Sequence, residues 1–547
     1  MIRRFVNNKI FNSSPTQSIT MAAFIISLAG IASRILGLVR DRILASQFGA
    51  GDTLDIYYAA FRVPDLVYNL LVLGALSAAF IPVFTGLVSR DDKKEAWKLS
   101  SGVLTIGVIV ISLVSVMLAI LAPYLMKLVT PGFSEAKVAE AVMFTRIMFL
   151  SPLLLGISAV FGGILVSFKK FLVYSLAPIM YNIGIIIGAV FFVKIMGPIG
   201  LAWGVVLGAV LHMVIQYPAV KHSGFKYKLM ISEALRNSNL KRVVYLMIPR
   251  TMGVAATQIN LLIITIFASM LATGSLTVFN FANNIQSAPL GLFGIAFAIA
   301  VFPTLSSLAA KGDKREFVKN FSQAFRQILF FIIPLSVFIV ILRAQLVRVV
   351  LGSGKFDWED TILTFEVLGI LALSLFAQSL IPLLTRSFYA LQNTKTPFYI
   401  ALFSETINIL IVLMLIGKYQ LMGLAVAFSV ASVVNMALLL SALRAKFDNL
   451  DDKNIIKSVL KISIASLVAG IAVQYLKHFV NNYVDLETFI GVFIQLIASG
   501  GAGLMIFILA SYLLKLEEFH YFRRSITKRL FKAKDKIEEG TGEVGGL

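Results

Sequence analysis

Long apolar runs recur along nearly the whole chain, each near or above the roughly 20 residues a helix needs to cross about 30 Å of hydrocarbon. The pattern predicts an all-α polytopic membrane protein with about fourteen transmembrane helices. The first seven fall near residues 19–48, 54–88, 99–128, 138–167, 172–194, 198–220 and 242–271. The rest fall near 276–309, 318–350, 361–391, 397–416, 421–443, 455–477 and 486–514. The first run is no plain anchor, because it carries Arg34, Arg40, Asp41 and Arg42. A charged group near mid-bilayer costs on the order of 3 kcal/mol even on lenient insertion scales, so it is seldom kept for anchorage alone. Three cations against one anion favour an anionic cargo and predict an internal phosphate-type site.

Composition agrees: 58% of the 547 residues are hydrophobic and 14% charged, against roughly a quarter charged in soluble proteins. The absence of cysteine excludes disulfides, thiolate metal sites and cysteine nucleophiles. The four histidines (His212, His222, His478, His520) lack metal-ligand spacing, so no metal or other cofactor is expected. Met1 to Ser18 is polar and basic, but the span after it is too long and too charged for a signal-peptide core; no cleavage is expected. The net charge of +21 reflects where the charges fall. Arg3, Arg4, Lys9, Arg90, Lys93, Lys94, Lys98, Lys221, Lys226, Lys228, Lys311, Lys314, Arg315, Arg444 and Lys446 lie in the tail and the even-numbered connections, while Gly49–Thr53 and Thr273–Ser275 have none. This positive-inside asymmetry, about thirty cations against about six, predicts cytoplasmic termini, and no nucleic-acid partner is needed to explain the charge.

Two stretches about 220 residues apart share an order of landmarks, as a duplication does. Arg34 to Gly37, Gly51 before Tyr58–Ala59, and Gly74 before Pro82 are matched by Arg250 to Gly253, Gly274 with Phe281–Ala282, and Gly294 with Pro303. Asn182 and Gly200–Ala202 correspond to Asn408 and Gly423–Ala425. A six-helix repeat returns to the same side and predicts two parallel six-helix lobes plus two C-terminal helices. The expected divisions are a cytoplasmic tail (1–18), an N-lobe (19–221), a cytoplasmic linker (222–241), a C-lobe (242–445), helices 13 and 14 (446–514) and a basic amphipathic tail (515–547) on the cytoplasmic leaflet. Where the first lobe has Arg40 and Asp41, the second has Ala256 and Thr257, which makes one cavity wall charged and the other mostly neutral.

Candidate binding residues follow. Arg34 and Asp41, seven apart, share a helical face, with Arg40 about 100° from Asp41 and Gly37 permitting a bend between them. Asp55, Arg62 and Asp65 lie on the second span around Pro64, a helix discontinuity, and are expected to line the same cavity, Asp55 fitting an interfacial helix start equally well. Arg250 repeats the place of Arg34, and Gln258, Asn260, Asn283, Asn284 and Gln286 are amides suited to a sugar or peptide or to bonding between helices. Glu405, with Ser404 and Asn408, is a lone acid on an apolar helix. It suits a coupling monovalent cation or a proton, the structural alternative being an ion pair with Arg386.

Ser33-Arg34-Ile35-Leu36-Gly37-Leu38-Val39-Arg40-Asp41, Phe48-Gly49-Ala50-Gly51 with Asp55, Ala60-Phe61-Arg62-Val63-Pro64 and the run Gly74 to Pro82 closely resemble the opening of the MurJ (MviN) lipid II flippases. Thr130-Pro131-Gly132-Phe133, Phe302 to Ser306, Gly354-Lys355-Phe356 and Phe388-Tyr389-Ala390 with Lys395-Thr396-Pro397 look like further signatures. The resemblance implies a non-enzymatic, fourteen-helix member of the multidrug/oligosaccharidyl-lipid/polysaccharide (MOP) exporter superfamily, MATE-like in architecture. Such a protein moves lipid II, the undecaprenyl-diphosphate-linked peptidoglycan precursor, from the inner to the outer leaflet of the cytoplasmic membrane by alternating access. It further implies a lipid-tail groove on the last two helices, and diphosphate binding and switching by Arg34, Arg40, Asp41, Asp55 and Arg62. Where many members carry an Arg pair and a Glu this chain has Tyr68, Asn69 and Leu73, and Asn284 replaces a common eighth-helix Arg. The alternatives are an exporter of another lipid-linked saccharide, a cation or drug antiporter, which needs acidic cavity walls, and a transport-dead scaffold for cell-wall synthesis proteins.

Overall fold

The computed structural model describes the backbone of residues 19–523; the side chains of 19–24, 73–78, 246, 248–250 and 252–257 are outside the description. The expected N-terminal tail (1–18) and all of the expected basic tail beyond residue 523 lie outside the described residues. Every regular element among the described residues is helical. Helix α1 (Ile19–Phe48) takes the first expected range. The second contains α2 (Asp52–Tyr68), a π-helical stretch (Asn69–Leu76) and α3 (Ser77–Ser89). Then come α4 (Lys93–Val129), α5 (Glu135–Met148), α6 (Leu150–Ser167), α7 (Phe171–Ile187) and α8 (Gly200–Val214). The chain continues through α9 (Ser238–Ser269), α10 (Ser275–Pro289), α11 (Ala296–Ala310), α12 (Lys314–Val350), α13 (Trp358–Leu373) and α14 (Leu375–Ala390). Last are α15 (Lys395–Phe447), α16 (Asp452–Asn481) and α17 (Phe489–Leu513).

Helix starts follow local chemistry. Asp92, Ser134, Asn237 and Thr488 each accept a bond from a backbone N–H of the first turn of α4, α5, α9 and α17, satisfying donors a helix cannot satisfy itself. The π-helical stretches Asn69–Leu76 and Leu290–Ile295 hold Gly74 and Gly294, landmarks matched in the sequence repeat. A π-bulge accommodates an extra residue in the helical ladder, and it holds the matched glycine in both stretches.

Among the described residues, eight helices are long and apolar enough to cross a membrane, or nine if α13 and α14, bent by 47°, form one span. Two of the eight are double length. The 53 residues of α15 would extend about 80 Å, and non-helical Gln420 (φ 44°, ψ −122°) interrupts them. The 52-residue stretch Phe171–His222 is interrupted at Gly197 (φ +69°). There α7 and α8 fold back on each other: Gly184 abuts Gly208 and Gly188 abuts Gly204, an antiparallel register in which only glycine allows such backbone approach. Dividing the two double-length stretches brings eight to ten, or eleven with the bent pair; the expectation of about fourteen from the apolar runs counts α1, the α2–α3 range and α9 as well.

By packing, the chain forms two compact units. One is Met1–Asn284 with Val350–Thr364 and Ala401–Leu424; the other is Ile285–Val349 with Phe365–Ile400 and Ala425–Leu547. The first has a core of Phe80, Phe84, Leu99, Phe161 and Ile164, backed by Trp97 stacked on Phe168. In the second, Phe330, Phe338 and Leu342 of α12 pack on Ile462, Ala469 and Val473 of α16 and Phe507 of α17. In lipid such contacts hold helices together by close packing rather than by escape from water. The lobe boundaries 19–221 and 242–445 remain a reading of the sequence repeat.

Candidate functional site

The charges of α1 are built into a polar cluster of the first unit. Asp41 is 2% exposed. Arg40 wraps sideways onto it, Nε and Nη2 donating to Oδ1 at 3.0 and 2.7 Å. The third guanidinium nitrogen, Nη1, donates to Oδ1 of Asn182 on α7 at 3.2 Å. Asn284 of α10 donates from Nδ2 to the other Asp41 oxygen at 3.0 Å. Asn182 is itself oriented, its Nδ2 donating to the Pro178 carbonyl at 3.1 Å. A buried ion pair loses several kcal/mol per ion in desolvation unless its remaining valences are met, and here two amides from other helices meet them. The arrangement is charge-neutral, and its two members can separate only if each finds a new partner.

The structure brings Arg40, Asp41 and Asn284 together and places the other candidates apart. Arg34 is exposed on α1, and Arg42 is half-buried. Arg250 lies on α9, and its side chain is among those outside the description. Asp55 caps α10 from α2: its Oδ2 accepts from Gly274 N at 2.7 Å, and its Oδ1 from Thr277 N at 2.9 Å and Thr277 Oγ1 at 2.7 Å. A carboxylate there satisfies orphan N–H donors and meets the positive end of the helix dipole. Arg62 donates from Nε to Thr265 of α9 at 2.9 Å and from Nη2 to Asn280 of α10 at 2.5 Å. Asp55 and Arg62 thus sew α2 to α9 and α10. Asp65, one turn on, lines a cavity of about 250 Å³ with Phe61, Tyr68, Tyr181 and His212.

Four connections of this unit pack against one another beside the Asp55 cap. Lys355 N donates to Ser46 O at 2.8 Å, Ala50 N to Asp360 Oδ2 at 2.9 Å, and Gly132 N to Ser269 Oγ at 3.4 Å. Lys137 pairs with Asp52 and donates to Thr273 Oγ1. Gly274 (φ +89°) lies so close to Ala50 O, and Gly354 (φ +61°) to Ser46 O, that a Cβ at either would overlap backbone; both hold the left-handed conformation glycine adopts freely. Sequence reasoning missed Asp360 and this convergence, although Phe48–Gly51, Thr130–Phe133 and Gly354–Phe356 were its signal.

Glu405 is held differently. Asn260 Nδ2 donates to its Oε1 at 2.6 Å and Asn408 Nδ2 to its Oε2 at 3.3 Å. Among the described residues it has no ion-pair partner. The Oδ1 atoms of Asn260 and Asn408 are buried without a hydrogen-bond partner, and Ser404 is buried alongside. The carboxylate and the two amide oxygens make a small group of buried hydrogen-bond acceptors. Asn260 was foreseen only as a generic amide, since its neighbour lies 145 residues away. No group of acids and histidines able to hold a metal occurs among the described residues.

Residues 44–494 match the family model described as lipid II flippase MurJ. Similar proteins include the probable lipid II flippase MurJ of Thermotoga maritima, 30% identical over 91% of this chain and 97% of that protein. The protein of the same description from Buchnera aphidicola (subsp. Acyrthosiphon pisum) is 29% identical over 86% of this chain and 92% of its own. A solved lipid II flippase MurJ in an inward closed conformation superposes with a TM-score of 0.73 at 25% identity, covering 92% of this chain and all of that one. An inward-facing MATE transporter of the MOP superfamily shares the fold, with TM-score 0.64 at 15% identity over 77% of this chain and 96% of that one.

Proposed function

Because the chain belongs to the lipid II flippase MurJ family, we propose that it carries lipid II across the membrane and that the cargo's diphosphate acts on the Arg40–Asp41 pair. The family consists of transporters rather than enzymes, and this chain is a multi-pass membrane protein. The membrane is the bacterial inner membrane, with both termini cytoplasmic and transport directed outward by alternating access. The observation carrying the reading is the buried Arg40–Asp41 pair bracketed by Asn182 and Asn284.

A diphosphate offers several oxygens to a planar guanidinium, which binds them two at a time better than an ammonium does. Exposed Arg34 meets the headgroup first; Arg40 then exchanges Asp41 for phosphate. Asp41, left with Asn284, must find another donor, and the α1–α10 contact shifts. A ligand moves such an equilibrium only by its differential affinity for the two states, and partner exchange supplies that difference. The latch of Asp55, Arg62 and the packed connections holds the present state until then. Ser404, Glu405 and Asn408, with Asn260, take up a monovalent cation or proton and couple its movement to the return step. Cell-wall synthesis proteins act on the delivered precursor.

The test is complementation of flippase depletion, scored with exposure of lipid II on the outer face. Arg40→Ala and Asp41→Asn should both leave precursor on the inner leaflet, and Arg40→Gln/Asp41→Asn, which strands no charge, should do so at normal protein levels. Function retained in both single variants would discard the exchange mechanism.

A further inference from the structure

Two cations of the second unit are unused by this mechanism. Arg343 on α12 is half-buried; its Nη1 donates to Val340 O at 2.7 Å, and its guanidinium lies over the Phe365 ring at 5.6 Å. Its stem runs past Gly369 of α13, where an added Cβ would stand 3.1 Å from Arg343 Cδ. Lys477 of α16 donates to Ile341 O at 3.2 Å and is near enough to Arg343 for the two charges to repel. The backbone carrying Lys477 is fixed by Gln495, which donates to its carbonyl at 2.9 Å and accepts from Gln345 at 2.9 Å. Among the described residues neither cation has a carboxylate in ion-pair range; exposed Glu366, between Phe365 and Gly369 on α13, makes no ion pair. Arg348, one turn further, donates to Glu487 O at 3.3 Å.

Beside Arg343 runs an apolar groove of about 230 Å³ lined by Ile333, Ser336, Val337 and Val340 of α12 with Leu373 and Phe376. Ser336, Val340 and Arg343 are spaced four and three apart and share one helix face, so the groove leads to the guanidinium. Leu373 and Phe376 flank Ser374, the break at which α13 and α14 bend by 47°. Along α12, Arg343 is about 44 Å from Lys314, one bilayer thickness with headgroups. That places the cations at the headgroup level of the leaflet opposite the basic Lys311–Arg315 connection.

We propose that Arg343 and Lys477 bind the phosphate of an anionic glycerophospholipid of that leaflet, whose acyl chain fills the groove and wedges the α13–α14 bend. Two cations bonded to the adjoining carbonyls of Val340 and Ile341, residues that line the groove, complement an anionic head on an apolar tail, and the counter-anion comes from the bilayer. The site takes a resident membrane lipid and is separate from the diphosphate site on α1.

The test is native mass spectrometry of the delipidated full-length chain with phosphatidylglycerol, with phosphatidylcholine, or with a polyprenyl phosphate. One phosphatidylglycerol should survive activation that strips the remaining lipid. Retention should fall roughly tenfold or more in Arg343→Gln/Lys477→Gln, since each basic group near an anionic surface is worth about 1 kcal/mol. Glu366→Gln should hold the lipid as well as the parent does. Val340→Trp, which fills the groove and spares the cations, should also lose it and should lose the thermal stabilisation phosphatidylglycerol gives the parent; this covers failure of the double variant to fold. Equal retention by the parent and the groove variant, a featureless series of lipid adducts, equal retention of phosphatidylcholine, or preference for the polyprenyl phosphate would each overturn the proposal. Because the readout needs no flipping, it is independent of the transport mechanism.

Discussion

Asn182 and Asn408 hold matched places in the sequence repeat, and each belongs to a cluster around a membrane-embedded acid: Asn182 accepts from Arg40, the partner of Asp41, whereas Asn408 donates to Glu405 itself. Around Asn182 the acid is Asp41, neutralised by Arg40 and completed by Asn284. Around Asn408 it is Glu405, met by amides alone, with two amide oxygens still unsatisfied. The same scaffold position thus serves a balanced pair and an unbalanced acid. A balanced pair responds to a competitor that can replace one member, such as a polyanionic headgroup. An unbalanced acid responds to a small cation or a proton. At the places that the sequence repeat matches to Arg40 and Asp41 the second stretch carries Ala256 and Thr257, so the two acids differ in whether a counter-charge lies within reach.

The comparison breaks most visibly at Arg40. Arg40→Ala strands a buried carboxylate, for which a loss of roughly 3–5 kcal/mol is expected, along with loss of transport. Arg40→Gln/Asp41→Asn should recover much of the thermal stability without restoring lipid II exposure; recovery of transport as well would show the pair to be structural. Next is Asp55→Asn, which removes a charge and an acceptor from the α10 cap and should cost about 1–2 kcal/mol. Because the chain lacks cysteine, one introduced at Ala50 should then label faster with a membrane-impermeant maleimide, and an unchanged rate would separate the cap from the latch. Arg62→Lys, keeping the charge but one bond at most to Thr265 or Asn280, should cost about 1 kcal/mol in a melting experiment. Glu405→Gln should move stability least, within about 0.5 kcal/mol. It should nonetheless abolish the dependence of transport on the coupling ion, and an undiminished dependence would remove the second half of the comparison.

Much of the frame was legible because hydrocarbon imposes it: α1 covers the expected 19–48, and the π-helical stretches hold Gly74 and Gly294, landmarks the repeat had marked. The charged cluster was legible in membership but not in geometry. Neighbours in sequence diverge by about 100° on a helix, so Arg40 and Asp41 were read on different faces. The length of the arginine, and Asn182 and Asn284 from distant helices, bring them together. Asp55 was read as a cavity group or an interfacial helix start, and it stands in the first turn of α2, but its partners lie 219 and 222 residues away. Helix capping across such a separation leaves no local periodicity to read. Glu405 and Asn408, three apart, were visible as a pair, whereas Asn260 was not.

The seam around Ser46, Ala50, Gly274 and Gly354 joins main-chain contacts to two carboxylates, Asp55 on Gly274 N and Asp360 on Ala50 N. Peptide groups do not titrate, but a carboxylate that gains a proton accepts such bonds more weakly. The seam is therefore an inert frame with two acid-sensitive fastenings, and it loosens at those fastenings first.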